Sequence, residues 1–119
     1  MKQSLGAKTL AQPTPVWVVG TYDAAGKANM MTAAWGGICC SKPPCVTVSL
    51  QKPRHSYAAI MERKAYTVNV ASAKDVAKVD YCGIVSGKNA DKFAACGFTA
   101  VKSELVDAPY VAECPLVIA

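Results

Sequence analysis

From Thr14 to Leu50 the chain carries three short strand-forming runs separated only by turn signals, and this pattern constrains the fold more than any other feature. Thr14 to Tyr22 (TPVWVVGTY) is β-branched and aromatic and reads as a strand. Asp23 to Gly26 (DAAG) is a turn in which glycine supplies the awkward dihedral. Ala28 to Trp35 (ANMMTAAW) returns as the second arm of a hairpin. Pro43 and Pro44 break the chain, and Cys45 to Leu50 then alternates. Val46, Val48 and Leu50 share one side; Cys45, Thr47 and Ser49 share the other.

Further along, helices are inserted. Lys52 to Ser56 reads as a helix start with Ser56 as N-cap, and Tyr57, Ile60 and Met61 fall on one helical face. Ala65 to Ala71 alternates as a strand, with Tyr66, Val68 and Val70 together. Ser72 followed by Asp75 resembles a capping box before a short helix carrying Val76 and Val79. Asn89 to Cys96 suits another helix, stopped by Gly97. Val101 to Val106 and Val111 to Ala119 are the last strand candidates. This order gives a mainly β barrel with short inserted helices, not a βαβ alternation. The sequence ends inside the apolar run Pro115 to Ala119. A strand edge there calls for cover, from a neighbouring subunit or from further barrel strands of a longer chain.

With 119 residues, one domain over 1–119 is expected. No apolar run reaches the ~18 residues of a membrane span. The N-terminal stretch lacks a signal-peptide core, so the expected location is the cytoplasm, where six cysteines stay reduced. The net charge of +5 comes from scattered Lys and Arg, without the clustering of a nucleic-acid groove; it suits a small anionic ligand.

Three segments can carry chemistry. In Asn29 to Trp35 the small residues Ala33 and Ala34 let a flat ligand approach the backbone, and Trp35 offers an aromatic wall. From pattern alone, a half-buried strand whose Trp fills core is the preferred reading of the same segment. Arg54, Ser56 and the free N–H groups of a helix start make a phosphate site, or an ordinary solvated cap. Lys88 and Lys92 are spaced to share a helix face. His55, the single histidine, reads as structural or surface. Cys40 and Cys45 form one loose pair with no second, which argues against zinc. No dinucleotide or P-loop motif occurs.

Taken in order, Asn29 to Ile38 (NMMTAAWGGI), Pro43 to Leu50 (PPCVTVSL), Arg54 to Tyr57 (RHSY), Tyr66 to Val70 (YTVNV) and Ser86-Gly87 with Asp91 to Phe93 (DKF) resemble the flavin-reductase-like FMN-binding family, and within it the flavoredoxin-like branch. The resemblance implies a split β-barrel homodimer with non-covalent FMN, here without the family's last strands. It implies that Asn29 and Thr32, Ala33, Ala34 and Trp35 line the flavin ring, with Cys40 and Ser41 on a turn beside it. Arg54, Ser56 and Tyr57 would serve the phosphate and ribityl chain, and Lys92 would approach the ring. The implied activity is electron transfer through FMN, with NAD(P)H or a redox protein as partner; no residue need act as nucleophile or base, and neither nucleic acid nor membrane is involved. Two readings compete with it: a thiol redox protein using Cys39 and Cys40, and a non-catalytic β module that dimerises through its open edge.

Overall fold

The computed structural model describes residues 1–119. Its centre is a four-stranded antiparallel sheet in the order β2-β1-β5-β8, built from β1 (Trp17–Tyr22), β2 (Ala28–Ala33), β5 (Thr67–Val70) and β8 (Leu116–Ile118). Two hairpins complete the β structure: β3 (Gly36–Ser41) with β4 (Pro44–Val48), and β6 (Ala100–Lys102) with β7 (Pro109–Val111). Three short helices are inserted: α1 (His55–Arg63), α2 (Val76–Ile84) and α3 (Lys92–Cys96). The architecture is therefore mainly β, as the sequence implies.

The β1–β2 turn forms where expected. The Asp23 carboxylate accepts from the Lys27 N–H at 2.8 Å, and Gly26 sits at φ 80°. Alternation then splits the hydrophobic residues between two faces. Val18 and Met30 meet Val79, Cys82, Phe93 and Cys96 on the side covered by α2 and α3. Val19, Met31 and Ala33 meet Val48, Leu50, Ile60 and Tyr66 on the other. β5 lies between β1 and β8 and is buried on both faces, which is why it carries Asn69 safely. The Asn69 amide donates to the Val18 carbonyl and accepts from the Val111 N–H, both at 2.9 Å, tying β5 to β1 and β7.

Five local expectations are corrected. Residues 36–41 form strand β3, which sequence reading passed over. Arg54, not Ser56, is the N-cap of α1, because Ser56 is buried and its hydroxyl accepts from Asn29. The inward face of α1 is Ser56 and Ala59 with Ile60 packed beside them, as expected for Ile60, while Met61 is exposed. Ser72 and Asp75 make no capping box; a 3-10 turn, Ala73–Asp75, intervenes before α2. At α3 the reading of the C-terminus holds, with Gly97 in the left-handed region at φ 62°. Its start is later than expected, since the Asp91 side chain caps it by accepting from the Ala94 N–H at 3.1 Å.

Candidate functional site

A groove runs along the end of β2, past the start of α1, to the loop that follows α2. It has two parts, of about 240 and 210 Å³, that share Met31, Gln51 and Arg54. Together they fall in the range of roughly 300–1,000 Å³ common for small-molecule sites.

The first part is shallow and is walled by Thr32, Ala33, Ala34, Trp35, Ser49 and Leu50. β2 ends at Ala33, so Ala34 and Trp35 leave the sheet, and half of the Trp35 surface stays exposed. The Ser49 N–H donates to the Trp35 carbonyl at 2.7 Å and holds the two edges of this part together. Thr32 spends its hydroxyl on the Val79 carbonyl, which fixes β2 against α2.

The second part is polar. Asn29, at the far end of β2, donates from Nδ2 to the Ser56 Oγ at 3.0 Å; Thr21 donates to the same oxygen at 3.4 Å. This buried trio pins the first turn of α1 to the sheet. Arg54 precedes it as an N-cap without a side-chain cap bond, and the first turn holds no acidic residue. A guanidinium at the positive end of a helix is unfavourable by itself; Arg54 pairs with no carboxylate. Gly87 closes the opposite wall. A Cβ there would collide with the Asn29 side chain and approach the His55 ring to 2.8 Å, so only glycine lets the loop come this close.

Lys92 forms the floor. It is 3 % exposed, and its ammonium donates to the Cys82 carbonyl at 2.7 Å. No carboxylate approaches it. Burial lowers its pKa below the lysine range; nearby thiols oppose this and the Arg54 charge adds to it. Two cations thus face one cleft that no carboxylate lines. Burying a charge without a counter-charge is expensive, and an anionic ligand would supply what the chain does not.

The structure therefore brings Asn29, Thr32, Ala33, Ala34, Trp35, Arg54, Ser56 and Lys92 to one groove. Tyr57 is half-buried on α1 and lines neither part. Cys40 and Ser41 are exposed at the end of β3, outside the groove, and Cys39 is exposed beside them. Gln51, His55 and residues 82–87 line the cleft without having been read as site residues from their own chemistry. Ser86-Gly87 was the available signal for the last of these.

Comparison with known proteins gives the class. Residues 10–119 match the family described as flavin reductase like domain, and the chain belongs to that family. Its fold is the split barrel with short inserted helices. The flavoredoxin of Desulfovibrio vulgaris (Miyazaki F) is 55% identical and superposes with a TM-score of 0.93 over 98% of this chain and 64% of that one. A flavoredoxin from Methanosarcina acetivorans is 31% identical, with a TM-score of 0.85 over 98% of this chain and 62% of that one. An uncharacterised protein of Aeropyrum pernix is 30% identical over 97 residues, 81% of this chain and 37% of its own length. The chain thus spans less than two thirds of each of these relatives. No helix is long and apolar enough to cross a membrane.

Proposed function

We propose that this chain binds FMN in the groove and moves electrons through it, between NAD(P)H or a redox protein on one side and a partner protein or free flavin on the other. The observation that carries the reading is the buried Lys92 ammonium, sharing a carboxylate-free cleft with Arg54. Family membership supports a flavin, and the flavoredoxin neighbours support electron transfer.

The residues present fit the cofactor. The shallow part, with Ala33, Ala34 and Trp35, admits a flat ring, and the cationic part admits a phosphate. Arg54 and the N–H groups opening α1 take the phosphate end. Asn29 and Ser56 hold the first turn of α1 in place for that contact. Lys92, on the floor of the cationic part, would stabilise negative charge on the ligand there by Coulomb attraction. Bound FMN supplies the one- and two-electron chemistry; the chain supplies position, charge and shelter from water. No nucleophile or general base is needed from the protein.

The full assembly is a homodimer in this reading. The exposed β3–β4 hairpin, with Ile38 84 % exposed, and the β8 edge supply apolar surface for a second copy. Cys40 and Ser41 then reach a flavin across that contact, and Tyr57 acts from behind α1. The protein works in the cytoplasm. An absorbance spectrum of freshly purified, FMN-supplemented protein tests the reading. Oxidised-flavin bands that stay with the protein through gel filtration support it. A colourless protein whose activity disappears on Cys39→Ser or Cys40→Ser supports the thiol reading instead, for which the exposure of both thiols speaks.

A further inference from the structure

Behind the cleft floor two unpaired thiols face each other. Cys82 in α2 and Cys96 at the end of α3 lie Sγ to Sγ at 3.6 Å, both buried. A disulfide holds its sulfurs at about 2.05 Å, so bonding requires the pair to close by roughly 1.5 Å. The other cysteines are exposed or half-buried, and Cys114 alone of them packs against the same core cluster. α3 is a single short helix between the Asp91 cap and Gly97, with Phe93 and Cys96 packed in the core, so an oxidant reaches the pair only when α3 opens. The same two helices hold the cleft's buried cation. Lys92 is the first residue of α3, and its ammonium is anchored on the backbone carbonyl of Cys82 itself.

We propose that Cys82 and Cys96 are an oxidation site: a low-molecular-weight disulfide converts them to an α2–α3 disulfide, which displaces Lys92 and weakens FMN binding. The first half stands on the sulfur geometry alone; the second rests on the FMN reading above.

The step balances. One cysteine thiolate attacks a sulfur of the small disulfide RSSR and expels RS⁻, which takes up the proton that the cysteine lost. The second cysteine attacks the mixed disulfide, forms the Cys82–Cys96 bond and releases the second RSH. Two protein thiols are oxidised and one RSSR is reduced to two thiols. Burial, reinforced by the contact with Cys96, pushes the Cys82 thiol up to about 12. Thiolate is therefore scarce at neutral pH, and bond formation accelerates as pH rises.

The test uses the full chain incubated with oxidised glutathione or with reduced dithiothreitol, then alkylated and digested with trypsin. The expected product is peptide 79–88, carrying Cys82, joined to peptide 93–102, carrying Cys96. Its FMN dissociation constant should rise about fivefold or more, the low end of the coupling between linked sites. Cys96→Ala, which lines no part of the groove, should bind FMN like the reduced chain and ignore the oxidant. Absence of the joined peptides across the alkaline range overturns the proposal, whatever happens to FMN. Joined peptides with equal affinity in both forms overturn the effect on binding. A reduced chain that takes up no FMN overturns the proposed function and with it the cofactor half of this inference, while the peptide map still decides the oxidation site. The map needs only the native chain, so it decides the matter even where Cys96→Ala does not fold.

Discussion

The Lys92 ammonium rests on the Cys82 carbonyl at 2.7 Å, in a cleft that offers it no carboxylate. A lysine held this way serves the apo fold poorly, since its burial depresses its own pKa. It serves a bound anion well. Charge-assisted hydrogen bonds are worth roughly 1.5–3 kcal/mol. Lys92→Met should therefore weaken FMN about ten- to hundredfold while leaving the apo melting temperature equal or higher. Calorimetric titration and a thermal melt on the same preparation check both halves.

Arg54 and Lys92 both line the polar part of the groove, and riboflavin, which lacks the phosphate, separates their roles. Arg54→Gln removes a phosphate contact, so FMN should bind roughly tenfold more weakly, about 1.4 kcal/mol, and riboflavin unchanged. Lys92→Met should weaken both ligands. Fluorescence titrations with the two flavins measure this. Loss of riboflavin affinity in Arg54→Gln would place the guanidinium at the ring instead.

Gly87→Ala puts a methyl group into the Asn29 side chain and against the His55 ring. Since Asn29 holds Ser56 and through it α1, the change should widen the cleft and lower FMN affinity more than it lowers stability. Met30→Ala does the reverse. Met30 is fully buried between the sheet and α2, and its truncation should cost about 2–5 kcal/mol by denaturant unfolding.

Two buried groups give opposite pH signatures. Folded Lys92 titrates below an unfolded lysine, so between the two pKa values the unfolded chain binds more protons. Its contribution to stability therefore rises with pH through that window. Folded Cys82 titrates at about 12 against an ordinary 9.0, so between these the folded chain binds more protons and stability falls with rising pH. Unfolding curves of Lys92→Met and Cys82→Ala, each subtracted from the parent across the alkaline range, should show the two slopes with opposite sign.

The first hairpin was legible because its turn is local: Asp23, Gly26 and Lys27 satisfy one another within five positions, and the strands on either side alternate. β3 was not, because Gly36-Gly37 and Cys39-Cys40 have little strand preference and gain it only by pairing with β4. Ser56 was misread for a related reason. Its local sequence suits a cap, but Asn29 claims its hydroxyl from across the fold. The cleft divides the same way. Side chains with an evident chemical use, such as Arg54, Lys92 and Trp35, could be named from their segments through the family resemblance. The wall after α2 is formed at residues 83–87, where Gly83 and Gly87 have no side chain and only proximity to Asn29 and His55 gives the segment its place.

The central claim is that an anion with a flat ring completes the Arg54–Lys92 cleft. Titrating FMN into the purified chain, with flavin fluorescence and a thermal melt read together, addresses it most directly. The account predicts saturable uptake of one FMN per chain with a raised melting temperature, lost in Lys92→Met. A folded chain that leaves FMN fluorescence and its own melting temperature unchanged would contradict it.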